Sequence, residues 1–378
     1  MRNKNLLIAM LIIFGFCQSA FSQNRVPFID TVMVHQNMDN LQVEINYHLF
    51  DLDQDTMMVL VKVSSDGGNT FTVPAVSFSG DYGLGILSGA NKKIIWDAAT
   101  DYPEQYSENY RVKLIASDAR ITAIKPVPAG TFLMGGSGAD NQPKHDVYLD
   151  YFEISPHAVT NEEYKLFCDA TNRPYPEEGD IFQAPVGYFV NFGEYPVVGV
   201  SWYDAVSYCN WLSQLKGLEP CYDLQTWSYD STRNGYHLPT EAQWEKASRG
   251  SLVEKIYPWG DTEPTNQCNF TGYNGSLRYL MANFDGQGNG PLPADSLIAN
   301  GYGLKNIVGN IWEWCNDWYY DEYYSQSPFI NPPGPVSGSE RVVRGGAWNT
   351  NESNVSCAYR SRKDPDRKRY DIGFRVAR

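Results

Sequence analysis

Hydrophobic and polar side chains alternate along much of the N-terminal third of the chain, which is the pattern of half-buried β-strands. Residues 41–47 (LQVEINY), 58–63 (MVLVKV) and 111–116 (RVKLIA) show it most clearly. Clusters of Asp, Gly and Asn separate these stretches, as they do in β-turns. The pattern predicts a small β-sandwich of the immunoglobulin or fibronectin III kind over residues 26–120.

The chain changes character after residue 120, where short apolar runs lie between Gly, Trp and Tyr. Three capping boxes predict the starts of three helices, and they pair Thr160 with Glu163, Ser201 with Asp204, and Thr240 with Gln243. Little else is typical of a helix, and the residues after 250 favour turns and irregular loops. We therefore expect an α+β chain with a second domain over residues 123–378.

The N-terminal 22 residues have the composition of a targeting segment. Arg2 and Lys4 precede an apolar run over residues 6–16, and small residues occupy positions 20 and 22. This arrangement predicts a secretory signal peptide over residues 1–22, and the apolar run is shorter than the roughly 20 residues of a membrane span. We expect a secreted or periplasmic protein with no membrane span.

The composition and the net charge of the chain exclude some classes of binding partner. The chain has 30 Lys and Arg against 44 Asp and Glu, a net charge of −14. An acidic surface repels a phosphate backbone, so we expect no nucleic-acid partner. The 17 Phe, 26 Tyr and 10 Trp exclude a disordered chain, because they supply enough apolar surface for folded cores.

Six of the seven cysteines lie after residue 22. An oxidising compartment permits disulfides, although six cysteines in so long a chain do not form a disulfide scaffold. Cys209 lies near the end of a predicted helix and Cys221 in the turn that follows, so this pair is the expected disulfide. The other connectivities stay open.

Several blocks rich in Gly, Trp and Pro follow one another in the second domain. They are residues 127–136 (VPAGTFLMGG), 198–206 (VGVSWYDAV), 238–245 (LPTEAQWE), 257–261 (YPWGD), 303–314 (GLKNIVGNIWEW), 344–348 (RGGAW) and 373–375 (GFR). In this order and spacing they resemble the formylglycine-generating enzyme, or sulfatase-modifying factor, family. The resemblance implies a C-type-lectin-like fold with little regular secondary structure.

The family's founding activity oxidises a sulfatase cysteine to formylglycine with copper(I) and oxygen, and two cysteines shortly after the Gly-Gly block bind the copper. Soft cuprous ion selects thiolate ligands. In this chain Thr350 takes the place of the first cysteine, neither Val355 nor its neighbours supply the second, and Cys357 resembles a structural cysteine of the family. The resemblance thus implies the fold without the copper site, and we expect no catalytic residues and no copper.

Calcium is the cofactor that the resemblance does imply, in a structural role. One family site would take the side chains of Asn306 and Glu313 and the carbonyl groups of Gly309 and Ile311. A second would take Asn269 and Asp285 with the carbonyl groups of Phe270 and Gln287. Such all-oxygen sets suit Ca²⁺. The alternative is that these polar groups bond only to loop backbone.

The position of the lost active site is also the expected binding groove. Its candidate residues are Trp312, Trp348, Asn349, Thr350 and Arg360. Trp312 can instead fill the core, and Arg360 can be buried against an acidic partner such as Asp364 or Asp366. We expect a non-catalytic binding or structural module at the cell envelope or outside the cell, with a protein or a glycan as its partner. The alternative is a formylglycine-generating oxidase, or another oxidoreductase on the same fold.

Overall fold

The computed structural model describes residues 27–37, 40–51, 56–103, 109–117, 124–138, 140–177, 187–264, 267–271 and 290–378. The chain divides into two compact units. The first unit comprises residues 1–59, 76–103 and 114–118, and the second comprises residues 60–75, 104–113 and 119–378.

The strands before residue 118 form two sheets. The four-stranded sheet has the order β1 (Phe28–Gln36), β2 (Gln42–Phe50), β6 (Gly89–Asp97) and β4 (Phe78–Gly80). The three-stranded sheet has the order β5 (Gly83–Ile86), β3 (Met57–Ser64) and β7 (Arg111–Ser117), and a short helix α1 (Ala98–Asp101) follows β6. Burial alternates along β2, where Ile45, Tyr47 and Leu49 are fully buried, so the strands predicted from alternation are confirmed. The assignment to an immunoglobulin or fibronectin III sandwich stays a prediction.

Eight short strands lie among the described residues after residue 120. Two antiparallel pairs join β8 (Lys125–Val127) to β11 (Phe152–Ile154) and β9 (Gly130–Met134) to β10 (His145–Leu149). A four-stranded sheet has the order β14 (Arg360–Lys363), β13 (Arg341–Arg344), β12 (Trp312–Trp318) and β15 (Ile372–Gly373). The central strand β12 is antiparallel to β13 and parallel to β15, which brings three sequence-distant segments together.

Four helices follow in the described part of the second unit, namely α2 (Asn161–Thr171), α3 (Tyr188–Asn191), α4 (Trp202–Leu215) and α5 (Glu241–Arg249). At the start of α2, α4 and α5 the side chain of Thr160, Ser201 or Thr240 accepts a hydrogen bond from a backbone N–H of the first turn, and the reciprocal bond is also present. The three helices predicted from capping boxes are therefore confirmed. Within the described ranges, no helix has both the length and the apolar character of a membrane span.

Buried tryptophans tie the irregular segments to the core. Trp202 and Trp314 are fully buried, and their indole N–H groups donate to the carbonyl groups of Cys315 and Val200, each at 3.0 Å. A buried polar group must find a partner to avoid a desolvation cost. These two bonds connect β12 to the first residue of α4 and to the segment just before that helix.

Helix α5 has charged side chains that are buried in the protein interior. Glu241, Glu245 and Arg249 are spaced four residues apart and are all buried. Arg344 on β13 donates to both carboxylates, to Glu241 at 3.1 Å and to Glu245 at 2.7 Å. Arg249 also donates to Glu245, at 2.6 Å. These pairs fix α5 against the sheet, because separating a buried ion pair leaves an uncompensated charge.

Candidate functional site

The segment after β13 forms a tight turn that closes Thr350 onto Ala347. The Thr350 hydroxyl donates to the Ala347 carbonyl at 2.8 Å and accepts from the Ala347 N–H at 3.0 Å. Gly346 enters this turn with φ at 75°, and a Cβ there would come within 2.9 Å of the Asn354 carbonyl oxygen. Thr350, which the resemblance aligns with the first copper thiolate, therefore has a hydroxyl that donates to and accepts from the backbone of the same turn.

Two buried polar atoms of this turn have no hydrogen-bond partner in the described part of the chain. Trp348 is 7% exposed, and neither its Nε1 nor the Oδ1 of Asn349 has a hydrogen-bond partner among the described residues. Leaving such an atom unpaired costs about 1–3 kcal/mol. One atom is a donor, the other is an acceptor, and they belong to consecutive residues.

A second segment positions Asn349. Its Nδ2 donates to Asp371 Oδ2 at 3.1 Å, and Arg369 holds that buried carboxylate with two hydrogen bonds of 2.8 Å. The ring of Tyr370 lies 5.9 Å from the Trp348 ring. We call Trp348, Asn349, Arg369, Tyr370 and Asp371 the Trp348 cluster. Sequence reasoning missed the last three, and their only signal was their position just before the GFR block.

Arg360 does not belong to this cluster, and Trp312 meets it through its backbone N–H, which donates to the Asp371 carbonyl at 2.8 Å. Trp312 is buried on β12 with its ring 6.0 Å from that of Tyr359. Arg360 is 2% exposed and donates to both carboxylate oxygens of Glu241, at 2.6 and 2.9 Å. The expectation that Arg360 lines the groove is therefore corrected. Its guanidinium is needed inside the protein to neutralise Glu241, which also replaces Asp364 and Asp366 as the expected partner.

The six described cysteines are buried free thiols: Cys168, Cys209, Cys221, Cys268, Cys315 and Cys357. Burial raises the pKa of each of them, to about 12 for Cys168 and to about 11 for Cys221 and Cys357. A thiol with a raised pKa is protonated at neutral pH and is a poor nucleophile and metal ligand. The expected disulfide between Cys209 and Cys221 is not formed in the structure, where the Cys221 thiol faces the Glu219 and Arg233 carbonyl groups at 4.0 and 3.8 Å.

The loop over residues 306–313 offers one atom that fits a cation well. Asn306 is 8% exposed, and its Nδ2 donates to the carbonyl groups of Pro293 and Ala294, both at 3.1 Å. Its Oδ1 is buried and has no hydrogen-bond partner in the described parts of the chain. A buried amide oxygen without a donor is a natural ligand for Ca²⁺.

Glu313 is differently placed, although it belongs to the same predicted calcium site. Both of its carboxylate oxygens accept hydrogen bonds from Arg375, at 2.7 and 2.8 Å, and Oε2 also accepts from the Trp244 indole at 2.7 Å. The charge of Glu313 is therefore already compensated, while Oε1 accepts one bond and can still offer a lone pair. The carbonyl groups of Gly309 and Ile311 lie between the two side chains in the sequence.

The second predicted calcium site is described only in part. Asn269 donates from Nδ2 to the Gly290 carbonyl at 2.9 Å and to Asn310 Oδ1 at 3.2 Å, and Phe270 is buried. Asp285 and Gln287 lie outside the described residues. Within the described ranges, no group of three or more His, Cys, Asp or Glu is placed to hold a metal ion.

The fold has counterparts among solved structures. The variable protein 1 of Treponema denticola is 28% identical to this chain and superposes on it with a TM-score of 0.54. The superposed region covers 67% of this chain and 94% of that protein. The chain therefore contains a domain with the same fold as that protein, in which short strands and a few helices are joined by long loops.

The sequence relatives define the family. The profile of the sulfatase-modifying factor enzyme 1-like domain matches residues 113–378. The formylglycine-generating enzyme of Bos taurus is 32% identical over 304 residues, which cover 68% of this chain and 74% of that protein. The inactive C-alpha-formylglycine-generating enzyme 2 of Mus musculus is 26% identical over 314 residues, which cover 70% of this chain and 88% of that protein. The chain belongs to the sulfatase-modifying factor enzyme 1-like family, as its sequence blocks predicted.

Proposed function

We propose that this family member is a non-catalytic, exported protein that acts as a calcium-stabilised binding or structural module at the cell envelope or outside the cell. The turn between Ala347 and Thr350 carries the proposal, because a hydroxyl engaged by the backbone stands where a copper thiolate is needed. Cuprous ion selects sulfur ligands, so copper is not part of the proposed function. The competing function is cysteine oxidation, which the activity named for the bovine relative favours.

The Trp348 cluster is the proposed binding surface. The unpaired Trp348 N–H and Asn349 carbonyl complement a ligand group that carries an acceptor and a donor side by side. Peptide amides and sugar hydroxyls both do so, and the Tyr370 ring adds an apolar contact. We therefore expect a protein segment or a glycan as the ligand.

A calcium ion at the 306–313 loop is the proposed structural cofactor. The unpaired Oδ1 of Asn306 supports it, and the carbonyl groups of Gly309 and Ile311 with the Glu313 carboxylate would complete the oxygen set. Arg375 would hold Glu313 in place. A bound dication offsets part of the entropy that ordering such a loop costs.

Export rests on the first 22 residues. The basic start, the apolar run and the small-residue exit are the parts of a signal peptide. The proposed compartment is the periplasm or the extracellular medium. Sequencing the N-terminus of the protein recovered from the producing cell tests this, because cleavage would leave a chain that begins near Gln23, whereas an intact Met1 in the mature protein would contradict export.

The binding role is tested with peptide and glycan arrays probed by the full mature chain and two tryptophan variants. Trp348→Phe keeps an aromatic ring and removes the N–H, whereas Trp259→Phe makes the same change at a tryptophan whose N–H donates to Thr262. We expect wild type and Trp259→Phe to bind the same probes, and Trp348→Phe to bind them about tenfold more weakly, as loss of one hydrogen bond implies. Equal binding by both variants, or no bound probe on either array, would contradict the proposed function.

A further inference from the structure

A cavity of about 400 Å³ lies between the glycine-rich turn that follows β9, residues 135–138, and the segment over residues 353–359. None of its lining residues belongs to the Trp348 cluster or to the 306–313 loop. Its volume falls within the range of roughly 300–1,000 Å³ that is typical of small-molecule sites. The cavity is therefore a separate place at which a ligand can bind.

The cavity lining includes a buried amide, one of whose atoms has no hydrogen-bond partner among the described residues. Asn141 lines it, is 6% exposed, and donates from Nδ2 to the Ala358 carbonyl at 3.0 Å. Its Oδ1 has no hydrogen-bond partner within the described ranges. A Cβ at Gly136 or at Gly138 would lie 3.1 Å from an atom of this amide. Glycine at these two positions therefore lets the turn pack closely against the amide of Asn141, because any larger residue would crowd it.

The charged groups of the lining are already paired. The pairs are Arg249 with Glu245 at 2.6 Å, Lys255 with Asp261 at 2.6 Å, and Lys144 with Glu254 at 3.3 Å. An anion would have to displace one of these carboxylates, and a cation would have to displace one of the basic groups. This balance favours a ligand without net charge.

The remaining lining groups suit a ligand that is polar on its edge and apolar on its faces. Ser353, Ser356 and Tyr359 also line the cavity, and the Ser356 hydroxyl accepts a hydrogen bond of 3.2 Å from the Tyr359 N–H. We propose that this cavity binds a neutral monosaccharide unit. A pyranose ring offers hydroxyl donors to Asn141 Oδ1, hydroxyl partners to the two serines, and C–H faces to the tyrosine ring.

The test uses the full mature chain and methyl α-glucoside, methyl α-mannoside and methyl α-galactoside as probes, with isothermal titration calorimetry and saturation-transfer NMR. Ser353→Phe fills the cavity from an exposed position, so folding tolerates it, and Ser231→Phe makes the same change at an exposed serine outside the lining. We expect at least one glycoside to bind wild type and Ser231→Phe with a Kd of about 1 mM. Ser353→Phe should weaken that binding at least about tenfold.

Inorganic phosphate serves as the charged probe. Displacement of a bound glycoside only at a phosphate concentration far above the Kd of the glycoside agrees with the proposal. The proposal is overturned if none of the three glycosides binds, if Ser353→Phe binds them as wild type does, or if phosphate occupies the cavity in preference to them. These outcomes do not involve Trp348, so they separate this site from the proposed binding surface.

Discussion

Asp317, at the end of β12, is a carboxyl group in the protein interior. Its Oδ2 accepts a hydrogen bond of 2.8 Å from the Glu241 N–H at the start of α5. Burial, followed by the nearby charge of Glu241, raises the pKa of Asp317 from 3.8 to about 7. Between pH 4 and pH 7 the folded state therefore holds a proton that the unfolded state has lost. The free energy of unfolding must fall as the pH rises through that window.

Asp317→Asn should remove this pH dependence, because an amide keeps an acceptor for the Glu241 N–H and does not ionise. We expect wild type to lose about 2 kcal/mol more stability than the variant between pH 5 and pH 8. Urea denaturation at both pH values measures it, with the exposed Asp321→Asn as the control. Parallel pH profiles for wild type and Asp317→Asn would show that Asp317 does not titrate in this range.

At the scale of single elements, a helix start could be predicted from neighbouring residues, whereas the shape of a loop held by sequence-distant contacts could not. The starts of α2, α4 and α5 were predictable because a capping box is written within four residues. The loop over residues 306–313 has no comparable short sequence motif that predicts its conformation. Its shape depends on Asn306 reaching Pro293 and on Glu313 meeting Arg375, which lies 62 residues further on. The loop is therefore the element at which a bound ion would have the largest effect.

Removal of calcium should destabilise the protein through this loop. At a calcium concentration of about 100 times the Kd, binding adds about 3 kcal/mol to the free energy of unfolding. We expect EDTA to lower the Tm of wild type and of the exposed control Asn351→Ala. Asn306→Ala should have a low Tm with or without calcium. Differential scanning calorimetry measures the Tm of the three proteins. A wild-type Tm that EDTA leaves unchanged would contradict the proposed calcium site.

At the scale of the whole molecule, the reactivity of the cysteines depends on whether they are free thiols and on whether they are buried. Six of the seven cysteines lie in the described part of the chain, and all six are buried thiols. Burial shields them from reagents and raises their pKa values, which slows thiolate chemistry further. Their reactivity therefore depends on unfolding of the second unit.

Titration with an aromatic disulfide reagent should detect none of the six thiols in the native protein within minutes. In guanidinium chloride all six should react. Four reactive thiols in the denatured protein would contradict the structure, since that number would mean that one pair, such as Cys209 with Cys221, is a disulfide. Rapid reaction of the native protein would mean that at least one thiol is exposed.

The sequence was most informative about the fold and least informative about contacts between distant residues. The ordered blocks and the alternation in the first domain predicted the family and the strands. The partner of Arg360 could not be read, because Glu241 lies 119 residues away and equally acidic residues lie nearby in sequence. The same holds for Asn349 and Asp371, which meet only because β15 pairs with β12. Binding surfaces built across segments need the tertiary fold to become visible.

An activity assay tests the proposed non-catalytic function most directly. The mature chain is incubated with copper(I), oxygen, a reductant and a peptide that contains Cys-x-Pro-x-Arg, beside a catalytically active member of the family as positive control. Conversion of cysteine to formylglycine lowers the peptide mass by about 18 Da. We expect no such product while the control converts the peptide. A product formed by this chain would mean that a buried thiol reaches the substrate, and the account of Thr350 as the remnant of a lost copper site would be wrong.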